Sequence, residues 1–131
     1  MATDIEGTAG QSYRLYQAAF DRAPDSNGLG YWIYQLDNNM SLSDVASYFV
    51  TSKEFLGTYD PDITDTEFVR LLYANVLDRE PDPGGFTYWI DQMQDDLSRD
   101  LVLVSFSESQ ENKGSVASQI ENGIFYSAFL G

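Results

Sequence analysis

The 131-residue chain contains no cysteine and no histidine. It therefore has no disulfide, no thiolate or imidazole metal ligand, and no Ser-His-Asp triad. Basic residues are also scarce, because seven Lys and Arg stand against 21 Asp and Glu, which gives a net charge of −14. That charge disfavours nucleic-acid phosphates and anionic membrane surfaces as partners. No apolar run approaches the ~20 residues that span a bilayer, and the first residues lack a signal-peptide pattern.

One segment occurs twice in this chain. The stretches DRAPDSNGLGYWIYQL (residues 21–36) and DREPDPGGFTYWIDQM (residues 78–93) are identical at nine of sixteen positions. When Asp21 is placed on Asp78, the two halves align without a gap well beyond this segment. A period near 50 indicates a supersecondary unit that is used twice. With 43% hydrophobic and 15% aromatic residues, the chain can bury a core, and its length favours one domain.

Each repeat is predicted to contain three helices. Apolar residues recur at i, i+3, i+4 and i+7 in the second helix of both copies, which is the pattern of an amphipathic helix. Helix starts are marked by Ser41 and Thr64, each followed three residues later by an acid that completes a capping box. The predicted fold is therefore an all-α bundle of two tandem three-helix repeats, at about 12–56 and 67–113, with a linker at 57–63 and a C-terminal helix at about 115–130.

Several repeated side chains are predicted to build the fold itself. Trp32 and its copy Trp89 lie on the apolar stripe of the second helix, where an aromatic residue is usually a core anchor. Arg22 and Glu54 both recur at the equivalent positions of the second copy, as Arg79 and Glu111. We expect each arginine to pair with the glutamate of its own repeat, which would tie the loop after the first helix to the end of the third.

A second stripe lies on the same helix, away from the apolar one. At ~100° per residue, Tyr31 points about 150° from the centre of the apolar stripe, with Gly28 one turn before it and Gln35 one turn after. This stripe either packs against the other half or another element, or it contacts a ligand. Tyrosine and glutamine on one face suit sugar hydroxyls through stacking and hydrogen bonds. The candidate ligand-binding residues are Tyr31, Gln35, Tyr88 and Gln92.

Two acidic clusters are candidate calcium sites as well as candidate helix starts. The first lies in the repeated turn, where aspartate at 25 and 82 would cap the second helix and the aspartates at 21 and 78 end the first helix, against its dipole. The second lies in the linker and also suits the first turn of a helix. Hard oxygen donors beside glycine favour Ca²⁺, but the spacing is not that of an EF-hand. The candidate ligands are Asp21, Asp25, Asn27, Asp60, Asp62, Asp65, Asp78 and Asp82.

The doubled motif resembles the bacterial domain of unknown function numbered 4214. Its pattern of an arginine, a Pro-Asp pair, a glycine and a Tyr-Trp pair, followed later by F-x-x-S-x-E, matches both halves and covers about residues 12–113. The second copy departs from the pattern at Asn112, where the first has Phe55. The resemblance implies an all-helical accessory module of large secreted or surface bacterial proteins, often beside calcium-binding repeats or polysaccharide-active enzymes. More remotely, the fold resembles phycobilisome linker domains, which implies a scaffold role.

Three kinds of function remain open from the sequence. The first is a non-catalytic interaction module of a secreted or cell-surface bacterial protein, which binds a carbohydrate or an extracellular protein and has calcium as a candidate stabiliser. The second is a purely structural spacer or assembly domain, in which the Tyr/Gln faces are buried between halves or subunits. The third, a glycosidase with paired carboxylates, is disfavoured because the acids recur at caps and loop ends rather than across a cleft.

Overall fold

The computed structural model of the protein describes residues 7–116. All regular secondary structure in this range is helical, which confirms the predicted fold class. A π-helical segment, Tyr73–Leu77, directly continues the fifth helix, and none of the helices between residues 7 and 116 is long and apolar enough to cross a membrane. In chain order the helices are α1 Thr8–Phe20, α2 Ser26–Asp37, α3 Leu42–Val50, α4 Lys53–Thr58, α5 Asp65–Leu72, α6 Pro83–Gln94, α7 Arg99–Ser107 and α8, which begins at residue 110 and continues through residue 116.

Each repeat contains four helices rather than the predicted three. The additional helices, α4 and α8, begin directly after Ser52 and Ser109, which occupy equivalent positions in the two repeats. The Ser52 hydroxyl accepts the backbone N–H of Phe55 at 3.2 Å, and that of Ser109 accepts the N–H of Asn112 at 3.1 Å. Serine is a favoured N-cap because it satisfies a backbone donor that lacks an intrahelical partner. The predicted start of the linker, residue 57, lies within α4, so the connection between the repeats begins after Thr58. The C-terminal helix predicted at 115–130 lies outside the described residues beyond position 116.

The predicted helix caps are present, although at Thr64 only the threonine side chain accepts a bond, from the N–H of Glu67, and the predicted box is not complete. Asp25 accepts the N–H of Gly28 at 2.6 Å, and Ser41 forms a complete capping box with Asp44.

The turns between helices also repeat. Asp21 and Asp78 end the first helix of their repeats in the left-handed region, with φ of 53° and 54°. A second equivalent pair, at positions 39 and 96, has φ of 78° and 73°. Asn and Asp tolerate this region better than other non-glycine residues.

The core lies between the two repeats. Helices α3 and α7, which are equivalent, pack against each other and bury the same positions. Val45, Ala46 and Phe49 of α3, like their equivalents in α7, are at most 4% exposed. The helix predicted for the LVLV segment is thus confirmed, and the two halves share one hydrophobic core.

A buried ion pair links the repeats and was not predicted. Arg14 of α1 is 1% exposed, and its Nε and Nη2 atoms donate to the two carboxylate oxygens of Glu108, each at 2.7 Å. The equivalent positions in the opposite repeats hold Leu71 and Thr51. This pair therefore has no counterpart at the equivalent positions, and it breaks the equivalence of the two halves.

Candidate functional site

The repeated arginine and glutamate form the predicted pairs. Arg22 donates from Nε and Nη2 to the carboxylate of Glu54, at 2.9 and 3.0 Å, and Arg79 does the same to Glu111, at 2.8 and 3.0 Å. The hydrogen bonds from arginine hold the pKa of each glutamate below its ordinary value. Both pairs are exposed rather than partly buried. Each glutamate lies in the first turn of the additional helix. The pair therefore braces the loop after the first helix to α4 or α8, and not to the end of the third helix as predicted.

The two tryptophans are half-buried side chains packed on the shared core. Trp32 meets Phe49 edge to face, with ring centroids 5.0 Å apart. Trp89 meets Phe106 at 5.2 Å in the other repeat. Each tryptophan therefore anchors its helix, as predicted, and also keeps part of its ring accessible.

The tyrosines of the second stripe are exposed to solvent. Tyr31 is 55% exposed and Tyr88 is 54% exposed, so neither is buried between the two halves of this chain. Gln35 and Gln92, one turn further on, are half-buried. The stripe is thus a surface feature of both repeats, in which the tyrosine is the accessible member.

In repeat one the exposed tyrosine belongs to a larger aromatic surface. Tyr31 lies edge to face on Trp32, with centroids 4.8 Å apart, and Trp32 contacts Tyr48 of α3 at 6.1 Å. Tyr48 is itself 59% exposed. We call these three residues the aromatic platform. Tyr48 was not among the sequence-predicted site residues, although its place off the apolar stripe of α3 is the same signal that identified Tyr31.

Repeat two carries a different surface at the equivalent place. Tyr88 lies edge to face on Trp89, at 5.0 Å, as in repeat one. The position that corresponds to Tyr48 is Ser105. The third ring of the platform is therefore missing from repeat two, and the Trp89 ring faces a pocket there instead.

The acids of the repeated turn have structural roles. Asp25 and Asp82 each accept the backbone N–H three residues on, at 2.6 and 2.9 Å, which confirms them as N-caps. The backbone bond to Gly85 is the largest cause that holds the pKa of Asp82 below its usual range. Asp21 and Asp78 occupy the left-handed turn that ends the preceding helix. Asn27 lies in the first turn of α2 and is exposed.

The linker acids are likewise dispersed among local contacts. Asp60 accepts the backbone N–H of Asp62 at 2.8 Å, and Asp65 lies in the first turn of α5, 3.5 Å from Arg99. Within residues 7–116, no group of three or more Asp or Glu side chains could hold a metal ion. The structure therefore does not assemble the predicted calcium ligands into a carboxylate site.

The fold and its duplicated cap, brace and tryptophan define a tandem-repeat helical domain. The chain matches the family described as domain of unknown function DUF4214 over residues 12–57 and again over residues 46–116. These matches together span most of the chain, which therefore belongs to that family. Two overlapping matches agree with two tandem copies of the motif. No curated protein and no solved structure has a significant match to the chain.

Proposed function

We propose that this domain is a non-catalytic interaction module of a secreted or cell-surface bacterial protein and that it binds carbohydrate through the aromatic platform. The observation that carries the proposal is that Tyr31, Trp32 and Tyr48 form one contiguous surface while both tyrosines remain more than half exposed. Tyrosine and tryptophan combine an apolar ring with a polar tip, which suits a ligand with an apolar face and hydroxyl edges.

The charge of the chain narrows the class of carbohydrate. A net charge of −14 repels polyanions over about a Debye length. The expected ligand is therefore a neutral polysaccharide. The setting outside the cell rests on the resemblance of the doubled motif to domains of surface proteins.

The non-catalytic assignment is supported by the roles of the carboxylates. A glycosidase holds two carboxyl groups across a cleft, about 5 to 10 Å apart. The repeated acids at 25, 54, 82 and 111 instead cap helices or pair with arginine. These contacts give the four acids roles in the fold, which supports a non-catalytic function.

The test is binding of the purified chain to insoluble cellulose, chitin and starch, with anionic alginate for comparison. Retention is expected on at least one neutral polymer and not on alginate. Tyr31→Ala and Tyr48→Ala should each weaken the binding roughly 3- to 10-fold, because an aromatic contact is worth ~0.5–1.5 kcal/mol. The matched control is Tyr34→Ala, which removes an equally exposed tyrosine of α2 outside the platform.

Two results would contradict this function. An equal loss in the Tyr34 variant would show that the platform is not the site. Binding to none of the polymers would favour the alternatives, a protein-binding module or a purely structural spacer. A spacer predicts that neither platform variant changes any interaction of the domain.

A further inference from the structure

A pocket of about 160 Å³ lies in repeat two, beside the exposed face of Trp89. Its walls combine aromatic rings with a charged pair and three hydroxyl-bearing side chains. Trp89 and Tyr73 both lie against the ring of Phe106, with centroids 5.2 and 4.9 Å from it. The lining residues are Tyr73, Leu77, Arg79, Trp89, Ser105, Phe106, Ser109 and Glu111.

Repeat one shows what opens this pocket. Six of the eight lining residues are identical at the equivalent positions of repeat one, and both that differ are larger there. Phe20 replaces Leu77, and Tyr48 replaces Ser105. Phe20 packs on Phe49 at 5.0 Å and Tyr48 lies against the repeat-one tryptophan. The same framework therefore carries two larger side chains in repeat one, where repeat two has a pocket.

The charges that line the pocket compensate each other. The guanidinium of Arg79 donates two hydrogen bonds to the carboxylate of Glu111, and it also lies 5.0 Å above the ring of Tyr73. Neither an anion nor a cation finds an unpaired countercharge on this wall. The carboxylate and the hydroxyl of Ser105 retain lone pairs that accept hydrogen bonds from a ligand. This chemistry favours a neutral ligand that carries hydroxyl groups.

The volume of the pocket, about 160 Å³, suits a single ring. Drug-sized ligands occupy sites of roughly 300–1,000 Å³, whereas an enclosed cavity of about 150 Å³ admits a single six-membered ring. An apolar ring face would rest on Trp89, and hydroxyl edges would meet the polar wall. We propose that this pocket, which we call the Trp89 pocket, binds one neutral hydroxylated six-membered ring, the chemistry of a single sugar unit.

The inference takes its ligand class from the proposed function but concerns a different site. The platform of repeat one is open and suits a chain that lies across it, whereas the Trp89 pocket suits a single or terminal unit. The two repeats thus present the same tryptophan to carbohydrate in two ways. The two surfaces differ at two equivalent positions, which hold Phe20 and Tyr48 in repeat one and Leu77 and Ser105 in repeat two.

The chain's two tryptophans make the test direct. Tryptophan fluorescence of the full chain is followed in a titration with millimolar D-glucose, D-galactose, D-mannose or N-acetyl-D-glucosamine, and with glucuronate as an anionic ring of similar size. A saturable change is expected with at least one neutral sugar. It should persist in Trp32→Phe, which leaves Trp89 as the reporter. No saturable response to any neutral sugar, or a stronger response to glucuronate, overturns the proposal.

Two variants close the pocket by copying repeat one. Ser105→Tyr and Leu77→Phe should each reduce the apparent affinity at least 10-fold. Ser105→Ala keeps the space and removes only one hydrogen-bond acceptor, so it should weaken binding less than either larger side chain. A melting temperature equal to that of the wild type shows that each variant folds. An unchanged sugar response in both filled variants overturns the proposal. Retention on a polysaccharide without a Trp89 fluorescence response would contradict only the proposal for the Trp89 pocket. A Trp89 response without retention on any polysaccharide would contradict only the proposal for the aromatic platform.

Discussion

At the residue scale, Gly28 and Gly85 occupy equivalent positions at the starts of α2 and α6, but the space around them differs. Gly28 and Gly85 both donate a backbone N–H to the capping aspartate three residues earlier. The three atoms nearest to a Cβ added at Gly28 all belong to that aspartate, the first at 3.2 Å. A Cβ added at Gly85 would lie 2.5 Å from the hydroxyl of Tyr73. Tyr73 is buried against Phe106, so its ring has little room to move.

We therefore expect unequal effects on stability from the same substitution. Gly85→Ala should destabilise the domain by about 1–3 kcal/mol, as overpacking does. Gly28→Ala should be close to neutral, because the gain in helix propensity, up to ~1 kcal/mol, offsets a tight contact. Urea unfolding of both variants measures the difference. Gly30→Ala is the control, since a Cβ there meets nothing within 4 Å, and it should stabilise. Equal effects at positions 28 and 85 would contradict the role of Tyr73.

At the element scale, the exposed arginine–glutamate pair connects the loop after α1 to the first turn of α4. Its bidentate geometry is favourable, but exposed pairs are screened by solvent. A double-mutant cycle with Arg22→Ala and Glu54→Ala should therefore give a coupling free energy of roughly 0.2–1 kcal/mol. Strict additivity of the two single changes would show that the pair contributes nothing to stability.

The pH dependence provides an independent check on that coupling. The hydrogen bond from Arg22 lowers the pKa of Glu54 below its ordinary value of 4.5. A carboxylate with a lowered pKa in the folded state stabilises above its unfolded pKa, and this contribution is lost as the pH falls through the folded pKa. The difference in melting temperature between wild type and Glu54→Gln should thus be constant from neutral pH to about pH 5, and should shrink below about pH 4.

At the scale of the whole molecule, the pair of Arg14 and Glu108 joins repeat one to repeat two through a buried contact. Removing one member of such a pair takes its countercharge away from the other member in the interior. Glu108→Thr should therefore destabilise the domain by about 3 kcal/mol. The double variant Arg14→Leu with Glu108→Thr copies the equivalent residues of the opposite repeats, Leu71 and Thr51. It should recover most of that loss.

Chemical denaturation of the single and double variants measures this recovery. Far- and near-ultraviolet circular dichroism serves as the control that both retain the native helices. A double variant less stable than Glu108→Thr alone would show that the charged pair cannot be exchanged for its uncharged equivalent. That result would show that the residues of one repeat cannot replace those of the other at these two positions.

The sequence by itself determined the repeat, the all-helical class, the caps and the arginine–glutamate pairs. These features depend on local periodicity, capping chemistry and residues that recur at one fixed spacing, and all three are visible along the chain. It did not reveal α4 and α8, because such short helices carry too brief a pattern to stand out. The serines at 52 and 109 were the available signal.

Only the tertiary structure decided which repeated residues share a surface and which repeat is open. Tyr48 of α3 joins the aromatic platform through its ring contact with Trp32 of α2, and no spacing within one helix shows that contact. The Trp89 pocket lies where repeat two carries Ser105 and Leu77 in place of the larger Tyr48 and Phe20 of repeat one. Exposure and empty volume depend on neighbours from several elements at once, so they are properties of the packed molecule rather than of any segment of its sequence.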